Sequence, residues 1–185
     1  YKSPLVSIIM AARDAGPFLR KCLDSILAQT YETWELVAVN DHSKDNTLEI
    51  LEEYASKDDR IKVLSSKREN LIPTLKEGYP HCTGQLLNRM DADDIMPKDK
   101  LQVLVSKWLE CGNGHVIAGG TQHFVEDGEV GDGFKRYDAW LNDIALNNTY
   151  LQDIYKECVI PSHCWIISRE DFDSCGGFEN EVYHE

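Results

Sequence analysis

The sequence lacks several features that would each indicate a particular class of protein. No apolar run approaches the ~20 residues that a membrane-spanning helix requires, and no signal-peptide pattern opens the chain. Basic residues are scarce, since 19 Lys and Arg stand against 32 Asp and Glu and give a formal net charge of −13. Nucleic-acid binding needs clustered Lys and Arg, so this balance argues against it. We therefore expect a protein without a transmembrane segment that binds no nucleic acid.

The six cysteines also lack the spacing of a zinc site. No two of them form a Cys-x-x-Cys pair, which is the spacing that zinc sites commonly use. Free thiols in a reducing compartment, several of them buried as small apolar side chains, fit the pattern better. We therefore expect a cytoplasmic location, with any contact to the inner face of a membrane made through other regions or partners.

The first 112 residues alternate between strand-like and helix-like segments. A continuous apolar run predicts a strand over 5–10 that is buried on both faces, and further strands are predicted over 34–40, 61–65 and 84–90. Apolar residues at helical spacing follow each strand, with Pro17 and Pro73 near two helix starts and Gly112 as a stop after the last helix. This alternation predicts an α/β fold with right-handed crossovers and a mainly parallel sheet.

The remaining residues predict a less regular half of the same domain. "HVIAGG" is expected to form a strand, and "FVEDGEV" a hairpin that turns at Asp127 and Gly128. Mixed helix and loop follow over about 137–155. A further strand is expected over 164–168, and a short helix follows it. A chain of 185 residues with 42% hydrophobic residues can bury one sizeable core.

Carboxylates follow several of the predicted strands. Asp14 follows the first strand, Asp41 the second, and Asp91, Asp93 and Asp94 the fourth. In open parallel sheets, ligands bind beyond the carboxyl ends of the strands. On an extended backbone, the first two aspartates of "DADD" would face one side and could share Mg²⁺ or Mn²⁺. Asp41 could accept hydrogen bonds from a base or ribose.

The Asp-x-Asp spacing also leaves other interpretations open. Asp94 fits a capping or orienting role. An EF-hand loop is excluded because Met96 would occupy its glycine position and Gln102 its closing glutamate. An aspartate-nucleophile phosphatase is an alternative, although that motif normally follows the first strand and has Thr or Val where this chain has Ile95.

Longer segments of the chain resemble family 2 inverting glycosyltransferases with the GT-A fold. They are "PLVSIIMAARDAGPFLRKCLDSILAQTYETWELVAVNDHSKDNT", "RMDADD" and "SREDFDSCGGFENE", which follow the family's order over nearly the whole chain. The resemblance implies a Rossmann-like α/β/α sandwich with a less regular C-terminal half. It also implies one catalytic domain over 1–185, with a nucleotide-sugar-binding half over 1–112 and an acceptor-side half over 113–185 that is truncated at its C-terminus.

The resemblance also gives roles to individual residues. It places the backbone of Ala11 and the side chain of Asp41 at the nucleobase, typically uracil, and Asp91 near the ribose and diphosphate. Asp93 would bind the metal ion, Mg²⁺ or Mn²⁺. The family often has a tyrosine after its first strand. This chain lacks that tyrosine, and Arg13 can stack on the base instead.

Two further candidates lie in the C-terminal half. His163 is a candidate ligand of the metal or diphosphate, and an ordinary histidine at a strand edge fits the sequence equally well. The family places a Glu-Asp pair shortly after "GGF", and Glu185 matches the Glu. The Asp, a common candidate for the catalytic base, would be the next residue, so we expect the sequence to stop inside the active site.

The activity implied by the resemblance is metal-dependent, inverting transfer of a hexose-type sugar from a nucleotide-diphospho-sugar, typically a UDP-sugar. The acceptor would be a hydroxyl on a sugar, a lipid-linked molecule or another compound, in cell-wall, polysaccharide or glycoconjugate synthesis. A base takes the hydroxyl proton during attack on the anomeric carbon, and the metal stabilises the departing nucleoside diphosphate. A non-catalytic transferase-like domain that binds a nucleotide is a further alternative.

Overall fold

A computed structural model describes residues 3–178. The strands are β1 (Val6–Ala12), β2 (Trp34–Asn40), β3 (Ile61–Ser65), β4 (Leu86–Arg89), β5 (Ile117–Ala118) and β6 (Trp165–Ser168). The helices are α1 (Gly16–Leu27), α2 (Thr47–Ala55), α3 (Leu71–Gly78), α4 (Lys100–Cys111), α5 (Asp132–Asn147), α6 (Tyr150–Asp153) and α7 (Arg169–Ser174). A 3₁₀ turn, Tyr79–His81, leads from α3 toward β4.

The strands form one sheet in the order β3-β2-β1-β4-β6-β5. β1 pairs in parallel with both β2 and β4, and β2 pairs in parallel with β3. β6 runs antiparallel to β4 and also to β5. The predicted α/β class with a mainly parallel sheet is therefore confirmed.

Helices cover the two faces of the sheet, because alternate residues of each strand point to opposite sides. Ile8 and Leu36 belong to a cluster with buried side chains of α1, α2 and α4. Ile9 and Val37 belong to a cluster on the other face, where Leu75 of α3 packs. The central strands are buried on both sides, which explains why most of their residues are apolar.

The segment between β5 and α5 does not form the predicted hairpin. The prediction for residues 124–130 is therefore wrong. Residues 119–131 contain no strand. The backbone of this segment bonds to side chains of α5 instead of to a second strand. Thr121 N–H donates to Asn142 Oδ1 at 2.9 Å, and His123 N–H donates to Asp138 Oδ2 at 2.8 Å.

The start of α3 differs slightly from the predicted one. α3 begins at Leu71, two residues before Pro73, because proline is tolerated in the first turn of a helix. No disulfide joins cysteines within the described residues. Within the described residues, no helix has both the length and the apolar character needed to cross a bilayer.

Candidate functional site

The loops that follow β1 and β2 are tied to each other. Asp14 and His42 have φ angles of 49° and 55°, a backbone conformation that turns the chain sharply after each strand. Asp14 N–H donates to Ser43 Oγ at 3.1 Å, and Asp14 Oδ1 accepts from Lys44 N–H at 2.7 Å. The Asp14 carboxylate therefore has a structural partner and joins the two loops.

A second set of bonds fixes the start of α1. Gly16 N–H donates to Asp45 Oδ2 at 2.9 Å, and Ala15 N–H donates to Thr47 Oγ1 at 2.8 Å. The hydrogen bond from the Thr47 hydroxyl, together with those from backbone N–H groups, lowers the pKa of Asp45. These contacts hold the carboxyl ends of β1 and β2 in fixed relation.

Asp41 lies at that edge, directly after β2, and is only 4% exposed. Its Oδ2 lies 3.8 Å from Nη1 of Arg13, and its Oδ1 lies 3.3 Å from Nδ1 of His42. Arg13 also approaches Glu69, with Nη2 3.9 Å from Oε2. Ala11 pairs with Val39 in the adjoining parallel strands. The structure thus groups Ala11, Arg13 and Asp41 at one end of β1 and β2.

Asp91 follows β4 and is held by two side chains. Its Oδ1 accepts from Nε and Nη2 of Arg89, at 3.1 and 2.7 Å. Its Oδ2 accepts from the hydroxyl of Ser162 at 2.6 Å. Both carboxylate oxygens therefore have donors from the protein, which fixes the orientation of the carboxylate.

His163 contacts Asp94, with 2.8 Å between Nδ1 and Oδ2. Burial opposes the charged ring of His163, but the hydrogen bond to Asp94 and the neighbouring Cys164 outweigh burial and raise the pKa of His163 to about 9. For Asp94, burial would raise the pKa, but the contact with His163 lowers it. His163 therefore carries its proton at neutral pH in this arrangement.

Asp91 and Asp94 each offer one carboxylate oxygen, and His163 offers one ring nitrogen, as a possible metal ligand. These three atoms lie within 4.8 Å of one another. Carboxylate oxygen and imidazole nitrogen are suitable donors for Mn²⁺ or Mg²⁺. This donor set fits a divalent cation, provided that the cation replaces the proton shared by Asp94 and His163. Asp93 is exposed and lies outside this group.

Lys100 lies beneath the same group. Its ammonium donates to the backbone carbonyl of His163. Burial disfavours the ammonium charge and lowers the pKa of Lys100, while Asp94 and Asp91 oppose that effect. Lys100 supplies positive charge among the carboxylates and fastens the segment that carries His163.

Sequence reasoning missed Arg89, Ser162 and Lys100. The position of Arg89, two residues before Asp91, was a usable signal because alternate residues of an extended segment face the same side. Ser162 is 71 residues from Asp91 and gives no local signal. Glu185 lies outside the described residues.

A cavity of about 910 Å³ opens beside the carboxylates. Asp93, Asp94 and His163 form one part of its wall. Another part is the irregular segment after β5, which includes Thr121 and His123. The volume is in the range of small-molecule sites. The arrangement can hold a polar ligand at the strand edge and a second group in the adjoining space.

Comparisons with known proteins indicate the family. The model of the family described as "Glycosyl transferase family 2" matches residues 7–176. An uncharacterized glycosyltransferase of Haemophilus influenzae is 37% identical over 150 residues, which are 78% of this chain and 46% of that protein. The chain thus spans under half the length of this relative. The matches favour a transferase over the phosphatase alternative.

Two solved structures share the fold. S. aureus TarS 1-349 in complex with UDP-GlcNAc has a TM-score of 0.59 at 23% identity, covering 70% of this chain and 38% of that chain. The mannosyltransferase PcManGT from Pyrobaculum calidifontis, in complex with GDP-Man and Mn2+, has a TM-score of 0.65 at 20% identity. That match covers 94% of this chain and 47% of the other. The likeness confirms the GT-A fold.

Proposed function

The chain belongs to glycosyl transferase family 2, and we propose that it moves a sugar from a nucleotide-diphospho-sugar to a hydroxyl group of an acceptor. The observation that carries this proposal is the polar edge at the carboxyl ends of β1, β2 and β4. Asp41 lies at one part of that edge, and Asp91, Asp94 and His163 lie together at another. Open α/β sheets bind nucleotides at such an edge.

The nucleoside is proposed to bind to residues 1–112, at the ends of β1 and β2. Asp41 is buried and its contact with Arg13 is long, at 3.8 Å, so its carboxylate can accept hydrogen bonds from a base or ribose. The Arg13 side chain is 44% exposed, and its guanidinium can stack on a base. Ala11 presents its backbone beside them. Uracil is the proposed base.

The diphosphate is proposed to lie beside Asp91, with Asp93, Asp94 and His163 available to hold Mg²⁺ or Mn²⁺. Asp93 and His163 line the cavity from neighbouring segments. A divalent cation bound there would stabilise the negative charge that develops on the departing nucleoside diphosphate. The chain's own contribution is orientation, because Arg89 and Ser162 fix the Asp91 carboxylate and Lys100 fixes the His163 backbone.

The acceptor hydroxyl is proposed to attack the anomeric carbon directly, which inverts the configuration of that carbon. The attack needs a base to take the hydroxyl proton. The acceptor side is proposed to lie in residues 113–185, with Glu185 beside the base. The transfer would serve the synthesis of a polysaccharide or glycoconjugate.

Calorimetry with UDP and GDP in the presence of Mn²⁺ tests the proposal on the full chain. We expect UDP to bind, and Asp41→Asn to weaken binding about tenfold, since a buried hydrogen bond to a charged group contributes roughly 1.5–3 kcal/mol. Asp93→Ala should reduce the dependence on Mn²⁺. Asp59→Asn, at an exposed acid outside the site, is the matched control. A folded chain that binds neither nucleotide would overturn the assignment.

A further inference from the structure

The irregular segment over residues 119–131 forms one wall of the cavity beside Asp93 and Asp94. Much of the cavity surface is apolar, and two of its aromatic side chains, Phe18 and Phe124, are 49% and 50% exposed. The apolar lining of the cavity includes Phe18, Ile95, Val103, Leu104, Phe124 and Val125. The site thus combines an apolar surface with a polar rim.

His123 is held on this rim by one carboxylate. Its backbone N–H donates to Asp138 Oδ2 at 2.8 Å, and its ring Nδ1 lies 2.5 Å from Asp138 Oδ1. The Asp138 side chain is only 13% exposed, whereas that of His123 is 39% exposed. With Nδ1 facing the carboxylate, Nε2 is the ring nitrogen that Asp138 leaves available for another hydrogen bond. Asp138 thereby fixes the orientation of the ring.

Two other contacts hold the segment in place. Thr121 and Asn142 exchange hydrogen bonds of 2.9 Å in both directions. The ammonium of Lys21, on α1, contacts the carboxylate of Glu126. The segment is therefore attached to α5 and α1, and its course around the cavity is specified by several independent contacts.

We infer that this cavity binds the acceptor saccharide and that His123, oriented by Asp138, forms a hydrogen bond with one of its hydroxyl groups. A saccharide has an apolar C–H face and a rim of hydroxyls, which match the aromatic wall and the polar rim. The cavity also reaches Asp93 and His163, so a hydroxyl bound in it lies beside the proposed diphosphate site. The inference rests on the proposed function for the identification of this saccharide as the acceptor.

Two substitutions of His123 distinguish its proposed bond to a saccharide hydroxyl from its bond to Asp138, which supports the segment over 119–131. In His123→Asn, the amide nitrogen takes the place of Nδ1 and keeps the bond to Asp138, but nothing replaces Nε2. In His123→Gln, the longer side chain places an amide near the position of Nε2. His81→Asn, at an exposed histidine outside the cavity, is the matched control.

Saturation-transfer NMR on the full chain, with methyl and octyl β-glucosides and β-galactosides as probes, measures saccharide binding. We expect at least one glycoside pair to bind, with His123→Asn weakening both members about fivefold, as loss of one neutral hydrogen bond would. His123→Gln should recover part of the affinity, and His81→Asn should match the parent chain. Tighter binding of the octyl glycoside would identify a lipid-linked saccharide as the acceptor class.

Parallel measurements of UDP affinity and thermal midpoint distinguish the possible results. Unchanged UDP affinity and midpoint in His123→Asn, with weakened glycoside binding, support the inference. Glycoside binding that is absent, or equal in His123→Asn and the parent chain, overturns it even where UDP binds normally. Loss of UDP binding in the parent chain contradicts the proposed function instead, and leaves His123-dependent glycoside binding as support for a saccharide site.

Discussion

Oδ2 of Asp94 lies 2.8 Å from Nδ1 of His163, across the gap between the segment after β4 and the segment before β6. The two residues belong to different loops. Their ligand atoms also lie within 4.8 Å of a carboxylate oxygen of Asp91. Because ligands that are already held near one another lose less freedom on binding an ion, we expect this pair to affect how tightly a cation binds at this edge.

We first predict that Asp94→Asn weakens Mn²⁺ binding by about tenfold, the lower end of the effect expected for a residue that holds or orients a metal ligand. The amide keeps the shape of the side chain but loses its charge. Electron paramagnetic resonance of free Mn²⁺, without nucleotide, measures the change. Asp99→Asn removes an exposed carboxylate of the neighbouring segment and serves as the control. Equal Mn²⁺ affinity in both variants would contradict the prediction.

A second prediction concerns the carboxylate of Asp91. Arg89 donates through both Nε and Nη2 to one oxygen, a geometry that lysine cannot reproduce with a single ammonium. Arg89→Lys should therefore weaken UDP binding several-fold in the presence of Mn²⁺ while the fold is retained. Calorimetry measures the affinity.

Ser162→Ala removes the other donor to Asp91 and should weaken UDP binding in the same direction. Arg136→Lys, at an exposed arginine on α5, is the matched control and should bind UDP as the parent chain does. The proposed role of the Arg89 contact is wrong if Arg89→Lys and Arg136→Lys give the same affinity.

The sequence predicted the central sheet well, because β2 and β3 are short, mostly apolar segments with polar residues beyond their ends. The observed bounds of these strands, Trp34–Asn40 and Ile61–Ser65, match the predicted ones. Residues 124–130, predicted as a hairpin, contain no strand, and the backbone just before them is held by side chains of α5 at Thr121 and His123. Local patterns contain no information on such distant partners.

The candidate site shows the same difference between features that follow from local sequence and contacts that depend on distant residues. Asp41 and Asp91 were proposed as site residues partly because each lies just after a parallel strand, at the edge where such sheets bind ligands. Arg89, two residues before Asp91, is a local partner, whereas Ser162 lies 71 residues away. The contact between Lys100 and the His163 carbonyl spans 63 residues of sequence, and only the tertiary fold brings the two together.

A third prediction concerns Gly84, just before β4. A Cβ atom at this position would lie 2.6 Å from both Leu5 O and Ser7 N, which are backbone atoms that cannot move aside. Gly84→Ala should lower the free energy of unfolding by roughly 1–3 kcal/mol, as other overpacked substitutions do. Gly131→Ala is the control, because no atom lies within 4 Å of its added Cβ. Urea unfolding measures both, and a smaller loss in Gly84→Ala than in Gly131→Ala would contradict the prediction.

The last prediction concerns the buried carboxylate of Glu35, on β2. Lys62 donates to its Oε2 at 2.7 Å, and Ser7 donates to its Oε1 at 2.7 Å. Burial would raise the pKa of Glu35, but the hydrogen bonds from Lys62, Ser7 and Thr83 outweigh burial and lower it to about 2. The folded pKa lies below the ordinary value of 4.5, so the ionised form stabilises the fold.

The sign of this effect sets its pH window. The stabilisation by Glu35 is fully present above about pH 4.5 and is lost as the pH falls toward about 2, and the two pKa values correspond to roughly 3 kcal/mol. Glu35→Gln should destabilise the protein near neutral pH and flatten the loss of stability between pH 5 and 3. Glu49→Gln, on the exposed side of α2, should leave that slope unchanged. Urea unfolding as a function of pH measures the slopes, and equal slopes in Glu35→Gln and the parent chain would show that Glu35 does not carry the acid sensitivity.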